Sequence, residues 1–181
     1  MSLYTTFKTS TKAQLKEQLG KKNIHEVPEL QKIVVAMGIG SLATRKGVKD
    51  FADLEKNLVA ITGQKPQMIL SKQSISNFKL REGMPVMLRV TLRGKRAYDF
   101  VERLVALALP RVRDFNGISP KKFDGRGNYS LGFPNQVMFP EINHEEIQTS
   151  LGIQVTMITS TNDDQEAKKL LESLGLIFLK L

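Results

Sequence analysis

Pro85-Val86-Met87-Leu88-Arg89-Val90-Thr91-Leu92, with Arg93 just beyond, alternates strictly. Val86, Leu88, Val90 and Leu92 point one way, and Met87, Arg89, Thr91 and Arg93 the other, because successive side chains of a strand take opposite faces. A strand written this way needs one covering layer and leaves its second face wet. The flanking sequence supplies the cover. Downstream, Gly94 leads into a helix over 95–109 with Tyr98, Val101 and Val105 along one stripe, stopped by Pro110. Upstream, 50–61 reads as a helix with Phe51, Leu54, Leu58 and Ile61 on one face, ended by Gly63.

The remaining elements follow by the same periods. Residues 3–19 form an amphipathic helix stopped by Gly20, and 30–37 a buried β-branched strand (Ile33, Val34, Val35). Short strands are expected at 67–70 and 128–131. Residues 152–159 set Ile153, Val155 and Met157 against Gln154, Thr156 and Ile158. Asn162 or Asp163 caps a last helix that packs through Ala167, Leu170, Leu171 and Leu174. Strands interleaved with helices in this order predict an α+β fold: a mostly antiparallel sheet with helices packed on one face. One domain over 1–181 is expected, with a protruding loop at 71–83 and an irregular segment at 110–128, both lacking a clean period.

The 181 residues are enough for a self-sufficient core. With no Cys and only His25 and His144, disulfides, thiol nucleophiles and thiolate zinc sites are excluded, and histidine chemistry has little to work with. The longest apolar runs (33–37 and 104–109) fall far short of the roughly 20 residues a spanning helix needs, so no membrane partner is expected. The N-terminus lacks the apolar core of a secretory signal and reads as an ordinary first helix.

Charge is lopsided. Lys and Arg number 27 against 18 Asp and Glu, a net +9; residues 1–130 carry +13 and residues 131–181 carry −4. Eight of the nine Arg lie in 71–130. Guanidinium groups make planar paired contacts to phosphate and base edges, so this distribution favours a polyanionic partner on one region. The 71–83 loop adds Lys72, Lys79 and Arg81 for charge, Ser74, Ser76 and Asn77 for hydrogen bonds, and Phe78 for stacking, a mixture suited to RNA backbone and a splayed base.

Three motifs compete with that reading. Gly38-Ile39-Gly40-Ser41-Leu42-Ala43 after an apolar strand resembles a dinucleotide-binding turn, the basis for an alternative nucleotide-binding enzyme using Gly38-x-Gly40. The acid that should hold the ribose is missing, because the next strand ends at Leu70-Ser71-Lys72. Phe123-Asp124-Gly125-Arg126-Gly127-Asn128-Tyr129 is a compact turn that either presents Arg126 and Tyr129 to RNA or only orders its surroundings. Asp163-Asp164 and Glu145-Glu146 read as charge at helix N-termini rather than catalytic carboxylates, and His144-Glu145-Glu146 lacks a second metal-binding His.

Several of these stretches appear together, in order, in one family. Gly63-Gln64-Lys65-Pro66, Ser74-Ile75, Asn77-Phe78-Lys79-Leu80-Arg81-Glu82-Gly83, Thr91-Leu92-Arg93-Gly94-Lys95-Arg96, Ala108 to Phe115, Phe123 to Tyr129 and Phe139-Pro140-Glu141-Ile142 resemble bacterial large-subunit ribosomal protein five, the 5S-rRNA-binding ribosomal protein family. The resemblance implies a cytoplasmic ribosomal constituent without catalysis or cofactor, with a fold related to RNA-recognition folds. Its implied partners are 5S rRNA in the central protuberance, large-subunit rRNA, peptidyl-site tRNA and, through an intersubunit bridge, a small-subunit head protein. A monomer is expected in isolation.

The family's 5S-binding positions carry over to Lys32, Gln64 and Thr91, and the expected 5S set is completed by Lys65, Arg89 and Arg93. Lys72, Ser74, Asn77, Phe78, Lys79 and Arg81 form the expected tRNA-contacting loop, with Arg111, Arg113 and Arg126 as additional rRNA contacts. Ala36 departs from the family's usual Asn, removing one polar contact, and Asn135 stands where Glu is frequent.

Overall fold

A computed structural model describes residues 2–45, 47–48, 50–112, 115–142 and 151–179. Its elements run α1 (Leu3–Thr6), α2 (Lys12–Leu19), β1 (Leu30–Gly38), α3 (Gly40–Arg45), α4 (Ala52–Thr62), β2 (Gln67–Leu70), β3 (Pro85–Arg93), α5 (Lys95–Arg103), β4 (Tyr129–Phe133), β5 (Ile153–Thr159) and α6 (Asp164–Ser173). The five strands form one open antiparallel sheet in the order β2-β3-β1-β5-β4, so the α+β expectation holds.

Alternation decides which side each strand buries. On β3, Leu88, Val90 and Leu92 are almost wholly buried, while Arg89 and Arg93 are exposed and Thr91 half-buried. On β5, Ile153, Val155, Met157 and Thr159 are buried and Gln154 is exposed. β2 joins β3 with Gln67 opposite Arg89 and Ile69 opposite Met87, which puts Gln67 and Ile69 on the arginine side.

Contacts group the chain into two compact units, whose limits fall inside the strands. One unit comprises 1–33, 92–131 and 156–181. In it, α1 and α2 run on through a π turn at Phe7–Thr11, and α5 continues into another at Leu104–Ala108. Tyr98 of α5 joins these parts. Its ring lies 5.4 Å from Tyr4 and 5.1 Å from Phe7, and its hydroxyl accepts from Leu30 N–H at 3.3 Å. Asp163 caps α6 by accepting from Gln165 N–H at 2.9 Å, and Ala167, Leu170, Leu171 and Leu174 are buried as their spacing requires.

The other unit comprises 34–91 and 132–155. Here α4 starts where Asp50 Oδ1 accepts from Ala52 N–H at 2.9 Å, two residues inside the expected boundary. Asp53 and Glu55 in its first turn favour the helix dipole, and Leu54, Leu58 and Ile61 enter the core. Residues 40–45, which the sequence presents as part of a turn, are helical, and Ile39 N–H is fixed on Val86 O at 2.9 Å.

Burial pushes the Tyr98 and Tyr129 hydroxyls up to about 12. An unfolded phenol ionises near pH 10, so the unfolded chain releases protons first and stability declines as pH rises from about 10 toward 12. Ultraviolet titration of the folded protein should find two of its three tyrosines ionising near pH 12, and all three near 10 in denaturant. Ordinary titration of Tyr98 and Tyr129 in the native state would contradict the packing.

Candidate nucleic-acid interface

The arginine side of β3 is oriented from its neighbours. Arg89 Nη2 donates to Gln67 Oε1 at 3.3 Å across the β2–β3 pair. Gln64 follows α4, where Thr62 Oγ1 donates to Leu58 O at 2.6 Å and accepts from Gln64 N–H at 3.3 Å. The Gln64 side chain then donates to Thr91 O at 3.4 Å. Gln64 and Thr91 are therefore brought together, with Lys65 exposed beside them. Arg93 is exposed at the end of β3, and Lys32 is half-buried on β1. Ala36, further along the same strand, is buried and offers no polar side-chain atom.

The 71–83 segment is more ordered than an unstructured loop. Ser71 N–H donates to Met84 O at 2.8 Å and Gly83 N–H to Ser71 O at 3.0 Å, closing its neck. Ile75 and Leu80 exchange two backbone hydrogen bonds (2.9 and 3.1 Å) around a turn at Ser76–Phe78. Ser74 Oγ accepts from Glu82 N–H at 2.9 Å, so this residue shapes the loop as well as lining it. Lys79 closes the turn in the left-handed region, at φ 53°. Phe78 is 72% exposed, and Lys72, Asn77, Lys79 and Arg81 are exposed with it. The aromatic ring does not tuck back onto the protein.

In the 123–129 turn, two carboxylates take up four successive backbone amides. Asp124 Oδ1 accepts from Arg126 N–H (2.8 Å) and Asn128 N–H (3.0 Å), while Asp164 Oδ2 and Oδ1 accept from Gly125 N–H (3.1 Å) and Gly127 N–H (2.8 Å). The Asn128 side chain also donates to Asp124 at 2.7 Å, and this bond, followed by the amides, holds the Asp124 carboxyl below the usual aspartate range. Arg126 is exposed at the tip. Tyr129, which the sequence offers to RNA, is instead fully buried with its hydroxyl donating to Ser119 O at 2.8 Å. Asp164, which reads in the sequence only as helix-end charge, is half of the clamp. Arg111 is exposed, and Arg113 lies outside the described residues, as do His144, Glu145 and Glu146.

The Gly38–Gly40 region does not build a dinucleotide site. A βαβ nucleotide fold sets the next strand beside the first, whereas β1 lies between β3 and β5 with β2 at the far edge. Neither Gly38 nor Gly40 has positive φ.

An open sheet face bearing arginines, together with an ordered basic loop, defines a protein that presents cations to an anionic partner. Residues 23–81 match the family described as Ribosomal protein L5, and residues 85–178 match the C-terminal region of the same ribosomal family. The chain is 51% identical over 172 residues to large ribosomal subunit protein uL5 of Natranaerobius thermophilus, covering 95% of each chain. It is 44% identical over 180 residues to the uL5 of Prochlorococcus marinus strain NATL1A, covering 99% of each. With the uL5 of Thermosipho melanesiensis it shares 49% identity over 162 residues, 90% of this chain and 88% of the relative. The chain belongs to the ribosomal protein L5 family, of the bacterial type, and is a ribosomal protein of the large subunit rather than an enzyme. The nucleotide-enzyme alternative is thereby overturned.

Two neighbouring glycines separate space from conformation. A Cβ at Gly127 (φ +74°) would lie 2.2 Å from Thr161 O, whereas one at Gly125 (φ +76°) meets nothing within 4 Å. Gly127→Ala should cost about 3 kcal/mol or more in urea melts, and Gly125→Ala only about 1–2 kcal/mol from left-handed strain. Equal losses would show that the Thr161 contact does not set the turn.

Proposed function

We propose that this protein binds 5S rRNA through the open side of its sheet and anchors it in the central protuberance of the large subunit. Lys32, Gln64, Lys65, Arg89, Thr91 and Arg93 make the contact. Exposed Lys and Arg neutralise phosphates and release counterions, while Gln64 and Thr91 fix register on the sugar and base edges. The observation that carries this reading is the exposure of Arg89 and Arg93 on a strand whose other side is sealed in the core.

The 71–83 loop, with Lys72, Ser74, Asn77, Phe78, Lys79 and Arg81, contacts peptidyl-site tRNA. Its ordered neck and exposed Phe78 support that role. Arg111, Arg113 and Arg126 serve as further contacts to large-subunit rRNA, and a bridge joins the protein to a head protein of the small subunit. The chain acts as a single RNA-binding domain, monomeric outside the cytoplasmic ribosome and without a cofactor. No helix among the described residues is long and apolar enough to cross a membrane.

Filter binding to 5S rRNA at graded salt should give a slope of log affinity against log salt of roughly −5 if about six phosphates are neutralised. A flat response would remove the electrostatic basis. Arg93→Ala should weaken 5S rRNA binding by roughly 1–3 kcal/mol. Arg81→Ala should leave it nearly intact and weaken tRNA protection by assembled ribosomes. Equal loss of 5S affinity in both variants would refute the division between sheet and loop.

A further inference from the structure

Asn116-Gly117 is the only Asn-Gly pair in the chain, and Asp124-Gly125 the only Asp-Gly pair. Either can close a five-membered succinimide ring, because glycine has no Cβ to shield its nitrogen from the side-chain carbonyl of the residue before it. The fold treats the two pairs oppositely. Gly125 N–H is engaged by Asp164 Oδ2 at 3.1 Å. Both Asp124 oxygens are occupied as well, Oδ1 by the Arg126 and Asn128 amides and Oδ2 by the Asn128 side chain. These bonds favour the ionised carboxylate, which is a poor electrophile. Ring closure at 124 therefore requires the clamp to open.

At 116 no such clamp exists. Asn116 is exposed, and Gly117 lies outside any helix or strand. Among the described residues, neither the Asn116 side-chain amide nor the Gly117 N–H has a hydrogen-bond partner. The next residue does carry a structural contact. Ile118 N–H donates to Ile177 O at 2.8 Å, and Leu179 N–H donates to Ile118 O at 3.0 Å. A Cβ at Gly117 would lie 3.2 Å from both Ile177 O and Leu179 N, so the backbone following Asn116 runs directly against residues 177–179.

We propose that Asn116 is a self-modification site, where ring closure with Gly117 yields isoaspartate and aspartate and the isoaspartate loosens the 177–179 segment. Hydroxide removes the Gly117 amide proton, and the nitrogen bonds to Asn116 Cγ. The Cγ–Nδ2 bond breaks, and its nitrogen takes a proton from water and leaves as ammonia. Water then opens the ring. Cleavage between the Gly117 nitrogen and Cγ gives aspartate; cleavage between that nitrogen and the Asn116 main-chain carbonyl carbon gives isoaspartate. Water and hydroxide are the only co-reactants. Both products add a negative charge, but only isoaspartate lengthens the main chain, by one carbon. Gly117 has no slack against the tail to absorb that carbon, so the two Ile118 hydrogen bonds are displaced.

The test incubates the full chain in mildly alkaline buffer and follows it by peptide-mapping mass spectrometry, with isoaspartate counted by an isoaspartyl methyltransferase. Asn116 should gain about 1 Da, with isoaspartate exceeding aspartate. Its rate should be about tenfold or more above that of every other Asn, and within about threefold of a synthetic peptide spanning 112–120. Asp124 should isomerise about tenfold or more slowly in the native chain than in urea. Asn116→Gln, whose longer side chain cannot close the five-membered ring, should yield no product at 116. In the purified isoaspartyl protein, hydrogen exchange at Ile118 and Leu179 should quicken about tenfold or more, while Asn116→Asp, which adds the charge without the carbon, should stay within about threefold of the parent. Aspartate without isoaspartate, a native rate about tenfold or more below that of the peptide, or unchanged exchange at Ile118 and Leu179 in the isoaspartyl protein would each overturn the proposal. None of these readouts involves RNA, so they leave the reading of the sheet and the 71–83 loop untouched.

Discussion

A strand that seals one side in a core must present everything else on the other, and β3 obeys that constraint most strictly. Leu88 and Leu92 have no exposed surface, and Val90 has 1%. Burying three such side chains contributes several kcal/mol, whereas an unpaired guanidinium moved into the same space would cost at least as much. The period of two then leaves Arg89 and Arg93 nowhere to go but outward. The positive surface thus follows from the packing that holds the sheet, and because the two sets of side chains take opposite faces, the outward arginines can be replaced without opening the core.

A second regularity runs through the polar residues. Gln64 is spent on Thr91 O, Gln67 on Arg89, Ser74 on Glu82 N–H, and Asp124 with Asp164 on four amides. Each satisfies or aims a group that would otherwise be loose. The acids and amides fix shape, while Lys65, Lys121, Lys122 and Arg126 stay exposed on the shape so fixed. Binding then costs less, because fewer backbone and side-chain degrees of freedom remain to be lost.

Elements with a strong local period were legible in the sequence. The stripe Leu54, Leu58, Ile61 marks α4, the alternation of 85–93 marks β3 and its open side, and Asp163 marks the start of α6. α3 escapes because six residues beginning at glycine are too few for a helical stripe to register. The π turns at Phe7–Thr11 and Leu104–Ala108 leave composition unchanged and so carry no signal. Tyr129 looks available beside Arg126 in the sequence, but its burial depends on Phe178, distant along the chain. Asp164 does sit at a helix end, yet its amide partners lie in another segment. The sheet order is non-local in the same way. Of the proposed interface, Arg89, Thr91, Arg93 and the loop cations follow from pattern and charge; Lys32 and Gln64 come only with family resemblance, and the tether from Gln64 to Thr91 O has no signal of its own.

The paired backbone bonds between Ile75 and Leu80 set how the neighbouring tip meets a visitor. Under the tRNA contact proposed for this loop, a contour already held by these bonds leaves no disorder-to-order step for docking. Association is then governed by collision and orientation, and departure by the few atoms that touch. Such an arm suits brief, repeated encounters with a passing molecule better than permanent adhesion.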